Sequence, residues 1–148
     1  MIAPRRVLFL CTGNSCRSQM AEGWLRHFAG ERADVSSAGT KPSGLNPMAV
    51  AAMREAGVDI SAHRSKHLDE VVNQDFLFVI TVCDAAREAC PVFPGALYQL
   101  HWSFEDPAAA TETEEERMGM FRRIRDEIRD RVGEFAAREG FRPRQESG

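Results

Sequence analysis

The sequence predicts an α/β fold in which a parallel sheet lies between layers of helix. Apolar runs of strand length alternate with stretches of helical spacing, and that alternation builds a parallel sheet covered on both faces. The run 76–82, Phe-Leu-Phe-Val-Ile-Thr-Val, is apolar almost throughout, as a strand buried on both faces is. A short loop containing Gly13 and Asn14 joins the first apolar run directly to the first helical stretch. Ligands of such sheets bind at the carboxyl ends of the strands, so chemistry is expected along one edge.

The first strand is expected at Val7, Leu8, Phe9 and Leu10, and the first helix over 17–28. A short second strand follows at 34–38. Residues 46–56 have helical spacing in Ala49, Ala52, Met53 and Ala56, and Gly57 suits the helix end. Ser65 or Asp69 starts a short helix before Asp75. The stretch 84–89, Asp-Ala-Ala-Arg-Glu-Ala, favours helix, and 97–100 is a weaker fourth strand. In the last helix Thr111 and Thr113 each precede a glutamate by three positions, giving two overlapping capping boxes. Glu112, Glu114, Glu115 and Glu116 suit its positive end. Met118, Phe121, Ile124, Ile128, Val132 and Phe135 form its core-facing stripe, and the arginines between them read as a solvated face.

The 148 residues suit one domain, expected over 1–140, with 141–148 as a fraying tail. Apolar content of 43% and charged content of 28% are ordinary for a globular chain. A net charge of −3 gives no reason to expect nucleic acid or an anionic membrane as partner, so any anion must be bound by a local field. The apolar run near the start is too short for a signal-peptide core or a membrane span. A cytoplasmic location is expected, where the four cysteines serve catalysis or redox exchange rather than a structural framework.

The richest segment is Cys11-Thr12-Gly13-Asn14-Ser15-Cys16-Arg17-Ser18. Between a strand and a helix, such a loop points backbone N–H groups and the positive helix end at an entering anion, and Gly13 and Asn14 can take the positive φ it needs. Arg17 adds a two-pronged donor fork. A free thiol titrates at ~8.5, and helix N-termini and cations lower this to ~3.5–7.5. Cys11 is therefore expected to be a thiolate nucleophile, with Ser18 donating to it. A small buried hydrophobe at a strand end is the bland alternative. Cys16 fits equally a packing role under the loop or a regulatory one.

Cys83 and Cys90 flank the helix-forming stretch. Positions seven apart on a helix lie ~10.5 Å apart along its axis, whereas a disulfide needs Cα atoms within ~6.8 Å. Either the pair is never oxidised or the segment unwinds when it is. Metal is not expected, because this spacing is unusual for zinc and His63 and His67 lie far away in sequence. After the fourth strand, Pro107 biases Asp106 towards extended backbone, where its carboxyl can protonate a departing oxygen. Asp-Pro is also a common turn pair, and Glu105 is the neighbour that could be mistaken for the acid.

Together these residues resemble the arsenate reductases built on the low-molecular-weight protein tyrosine phosphatase fold, the class recycled by thioredoxin. The likeness runs over roughly 7–135. It is carried by residues 11–24, by Ser37-Ala38-Gly39, Thr81-Val82-Cys83 and Cys90-Pro91, and by His101-Trp102 leading to Asp106-Pro107-Ala108. The phosphatase branch has an aromatic after that proline and lacks the Cys83 and Cys90 pair. The resemblance implies a four-stranded parallel sheet of order 2-1-3-4 and reduction of arsenate to arsenite. Cys11 attacks arsenic with Asp106 as acid, Cys83 then attacks Cys11, Cys90 attacks Cys83, and thioredoxin reduces the product. It implies competition by phosphate and sulfate, some residual phosphatase activity, and no flavin. Some members bind potassium beside the loop through residues matching Asn14, Glu22 and Ser37 together with an aspartate. Lys66 stands at that last position, so its ammonium is expected to pair with Glu22 and potassium is not expected to be required. The His63-Arg64 stretch reads as structural.

Three alternatives remain open from sequence. One is a phosphatase for phosphotyrosine or small phosphate esters, with Cys83 and Cys90 protecting Cys11. The second is a flavodoxin-like electron carrier. The third is a thiol sensor without turnover.

Overall fold

A computed structural model describes residues 5–89, 92–109 and 113–142. Four parallel strands, β1 (Arg5–Cys11), β2 (Ala33–Gly39), β3 (Phe76–Thr81) and β4 (Ala96–His101), form one sheet of order β2-β1-β3-β4. The helices are α1 (Arg17–Ala29), α2 (Pro47–Glu55), α3 (Asp84–Ala89) and α4 (Glu114–Arg138), with short 3-10 turns at Gly30–Arg32, Leu68–Glu70 and Pro107–Ala109. Each expected element is present, most of them a residue or two longer or shorter than the patterning predicts.

Alternation along β1 divides the core. Val7 and Phe9 join the larger cluster with Met20, Trp24, Leu25, Ile124, Ile128 and Phe135. Leu8 and Leu10 join the smaller one with Val71, Val79 and Phe93. The stripe of α4 is buried at Phe121, Ile124, Ile128, Val132 and Phe135. Thr113 caps that helix by accepting from the Glu116 amide at 3.2 Å, whereas Thr111 lies outside the described residues. Asn46 caps α2 by accepting from the Met48 amide at 2.8 Å, and Gly57 follows with φ +84°.

Two expectations need correction. Phe141 is not part of a frayed tail. It is fully buried, its ring 5.6 Å from that of Phe135 with the Arg5 guanidinium stacked at 4.2 Å. Nor are all the α4 arginines solvated. Arg125 donates to the Ala52 carbonyl at 2.9 Å, and Arg131 lies over the Trp102 ring at 5.3 Å.

Register places the functional edge. Cys11 pairs with Gly39, Leu10 with Thr81, and Thr81 with His101, so all four strands end level and the loops that follow share one rim.

Candidate active site

The loop after β1 is shaped by the segment beside it. The carbonyls of Cys11, Thr12, Gly13 and Ser15 accept from the amides of Thr40, Lys41, Ser43 and Asn46 at 2.9–3.3 Å. With its carbonyls held outwards, the loop turns N–H groups inwards. Among the described residues none accepts from the amides of 13–16. Asn14 supplies the positive φ, at +47°; Gly13 does not, and its missing Cβ instead leaves room for Ser43 Oγ. A Cβ on Gly39 would stand 2.5 Å from the Thr12 carbonyl oxygen, so only glycine fits against the loop there. Helix α1 begins at Arg17 behind an N-cap, Cys16, that makes no side-chain cap bond, and it has no acid in its first turn. Its positive end is left for an anion to neutralise.

Cys11 and Cys83 are both buried, at 3% and 4% exposure, and both are free thiols. Thr12 Oγ1, one residue on from Cys11, lies 3.4 Å from the Cys83 sulfur. Donation from Cys11, joined by Thr12, holds Cys83 down at about 5 despite burial. The same bond, with burial, pushes Cys11 above the ordinary thiol value against the pull of Arg17. Two thiols sharing one proton titrate as a pair. Arg17 favours a thiolate in this pair and burial opposes it, and the charge belongs to the pair rather than to either sulfur. Burial pushes Cys16 up to about 11, and its sulfur is 3.4 Å from Ser15 Oγ. That makes it a neutral packing thiol beneath the loop. Cys90 lies outside the described residues.

Arg17 faces the opposite wall. Its Nη1 donates to the Phe104 carbonyl at 3.0 Å and its Nη2 is 3.9 Å from Asp106 Oδ2. Asp106 Oδ1 accepts from the Ala108 amide at 3.0 Å, which fixes a half-exposed carboxyl on the rim. Glu105 turns away to Arg123 at 3.0 Å, so Asp106 is the carboxyl beside Arg17.

Beneath the loop, the first turns of α1 are buried from Ser18 to Leu25, and their polar groups are satisfied internally, as burial demands. Asn14 Nδ2 donates to Ser18 Oγ at 2.8 Å and Ser37 Oγ at 2.9 Å. Asn14 Oδ1 accepts from the Lys66 amide at 2.9 Å and from Gln19 Nε2 at 3.1 Å. Ser37 donates to Glu22 Oε1 at 2.6 Å, and Arg26 Nε to Glu22 Oε2 at 2.8 Å. His63, held below the ordinary imidazole value by burial, has Nδ1 3.1 Å from Gln19 Oε1 and Nε2 3.8 Å from Glu22. Ser18 Oγ accepts from Asn14, a partner the sequence reading did not give it. One expectation changes here. Lys66 contributes its backbone, and Arg26 is the cation paired with Glu22.

The strand-end rim also carries groups that sequence reasoning passed over. His101 Nε2 is 2.8 Å from Asp84 Oδ1, at the start of α3, and holds that carboxyl below the usual carboxylate range. Gln19, Arg26 and the 40–46 segment were equally unmarked.

A cysteine in an amide-lined loop, an arginine beside it and a carboxyl across from it make a rim that can take an oxyanion, on an α/β fold. The chain belongs to the low molecular weight phosphotyrosine protein phosphatase family, whose model matches residues 6–141. It is 49% identical over 135 residues to an arsenate reductase of Bacillus licheniformis, covering 91% of this chain and 97% of that one. A solved structure of an arsenate reductase in the phosphate-binding state superposes with TM-score 0.74 at 31% identity, covering 90% of this chain and 98% of that one. A thioredoxin-dependent arsenate reductase of Corynebacterium glutamicum gives TM-score 0.72 at 31% identity, covering 95% of this chain and 64% of that one. No helix among the described residues is long and apolar enough to cross a membrane.

Proposed function

We propose that the protein reduces arsenate to arsenite through a relay of Cys11, Cys83 and Cys90. The observation that carries this reading is a second buried thiol at the loop, Cys83, whose sulfur lies 3.4 Å from Thr12 Oγ1, the residue next to the buried Cys11. A phosphatase needs only the first thiol for turnover, and the second could serve it only by protecting the first. The relatives named above support the same reading.

Arsenate enters against the 13–16 amides and Arg17. The proton between the sulfurs passes to Cys83, and the Cys11 thiolate attacks arsenic. A Cys11–arsenic bond forms while one oxygen leaves as water, protonated by Asp106. Cys83, deprotonated again, attacks the Cys11 sulfur. The Cys11–Cys83 bond forms and the pair of the sulfur–arsenic bond stays with arsenic, which departs as arsenite. Arsenic has gained two electrons and the two sulfurs have lost them. Cys90 then attacks Cys83, frees Cys11 and carries the disulfide outwards, where a dithiol such as thioredoxin reduces it. Phosphate and sulfate compete for the loop, some phosphatase activity persists through the shared first step, and no flavin takes part.

Potassium is not required, because Arg26 already meets the Glu22 carboxylate at 2.8 Å. Equal turnover in potassium and sodium at matched ionic strength is expected, and clear activation by potassium overturns this.

The test is arsenate-dependent NADPH oxidation coupled through thioredoxin and its reductase. Serine at Cys11, Cys83 or Cys90 is expected to abolish multiple turnover. A Cys83→Ser protein that reduces arsenate at the wild-type rate removes the relay. A phosphatase reading predicts that Cys83→Ser keeps steady turnover of an aryl phosphate while arsenate is never reduced even by the wild type.

A further inference from the structure

We propose that His101 is a positioning residue that latches α3, holding Asp84 so that the segment between Cys83 and Cys90 stays wound until Cys83 has reacted. The step it times rests on the relay proposed above.

Helix α3 has six residues and one buried side chain, Ala86. A helix so short does not hold itself in water. Among the described residues, its side-chain hydrogen bonds to the rest of the fold run from Asp84 alone, to His101 Nε2 at 2.8 Å and Ser103 Oγ at 3.4 Å. Asp84 directly follows Cys83, so the latch acts at the hinge of the segment. Its anchor is rigid, since His101 ends β4 in register with Thr81, the last residue of β3.

The proton positions follow from chemistry. An ionised carboxylate can only accept, so His101 Nε2 carries hydrogen and donates to Asp84. Nδ1, 2.7 Å from Thr81 Oγ1, is fixed by that hydroxyl, so the ring is oriented from both sides. The Asp84 side chain is 65% exposed and that of His101 19%, and a pair so open to water is weak enough to yield.

The spacing of the two cysteines that flank α3 argues for opening. Sulfurs on residues seven apart cannot bond across an intact helix, whose rise over that span is ~10.5 Å against a Cα limit of ~6.8 Å. In the exchange the Cys90 thiolate attacks the Cys83 sulfur, the Cys83–Cys90 bond forms, the Cys11–Cys83 bond breaks, and Cys11 leaves as thiolate. No electron is gained or lost overall. While α3 stays wound this step waits, which keeps Cys83 against Cys11 for the first exchange.

The experiment compares the reduced full-length protein with His101→Leu, which removes the donor, and His101→Gln, which keeps one. Amide hydrogen exchange at Arg87, Glu88 and Ala89 is expected to rise about three- to tenfold in His101→Leu, as for a local opening. It should return towards wild type in His101→Gln while β1 and α1 are unaffected. Equal protection in all three proteins overturns the latch. One stoichiometric turnover of arsenate is then acid-quenched, alkylated and read by peptide mass spectrometry. The Cys11–Cys83 disulfide is expected to be shorter-lived in His101→Leu, and an unchanged lifetime beside faster amide exchange overturns the timing role. If the wild type never forms Cys11–Cys83, the relay is what fails, and amide exchange still decides the latch. Should His101→Leu not fold, Asp84→Ala removes the same bond from the exposed side with the same expectations.

Discussion

Two buried thiols in contact cannot titrate independently. The pair releases one proton below the ordinary thiol range and holds the other above it, the first eased by the hydrogen bonds to Cys83 and the second resisted by burial. One thiolate per chain is expected to appear in ultraviolet absorbance near pH 5, and Cys83→Ser should remove that step. The linkage to stability has two signs. Between about pH 5 and the ordinary thiol value the unfolded chain binds the extra proton, so stability rises with pH. Above that value the unfolded chain releases the Cys11 proton that the folded protein retains, so stability falls. Chemical unfolding across pH should show this maximum, and serine at either position should flatten it. Gly39 sets a second limit at this scale. Gly39→Ala drives a methyl into the Thr12 carbonyl, and such overpacking costs about 1–3 kcal/mol. It should raise the arsenate KM as the loop shifts, measured by coupled turnover beside a urea titration.

At the scale of elements, the helices differ in how they begin. Asn46 caps α2 and Thr113 caps α4, but α1 starts bare behind the loop. A cap spent on structure is removable at modest cost, so Thr113→Ala should lose about 1 kcal/mol by urea midpoint with turnover unchanged. The elements themselves were legible because their patterns are local. β3 is a continuous apolar run, α4 has its stripe and caps, and Asn14 stands where a left-handed residue is needed. What did not show in sequence depends on partners distant along the chain. Lys66 meets the site through its amide, donated to Asn14 across 52 positions, whereas the Glu22–Arg26 pair, four apart on one helix, was open to reading. The 40–46 segment shapes the loop through main-chain bonds, which leave no mark on side-chain identity.

For the whole molecule, the bare end of α1 makes the fold sensitive to what the loop holds. An anion bound by the native state alone stabilises it by mass action, about 2.7 kcal/mol at a hundredfold excess over Kd. Phosphate should therefore raise Tm in a saturable way, and Arg17→Ala should weaken that response far more than a matched change at Arg123, which faces Glu105 on the outside. A linear, unsaturable rise identical in both variants would assign the effect to general salt.

The sheet and its longest helix are joined by an aromatic seam. Phe78, Phe135 and Phe141 have ring centroids 4.9–6.2 Å apart, and Trp102 adds its ring 5.3 Å from Phe135. Phe141 comes after the final turn of α4, so the chain doubles back to close this seam from outside. A stop codon placed just ahead of it would strip a keystone rather than trim a loose thread, at a cost on the order of 3–5 kcal/mol for the lost ring. A tag or fusion partner intended to leave the enzyme intact belongs downstream of that ring.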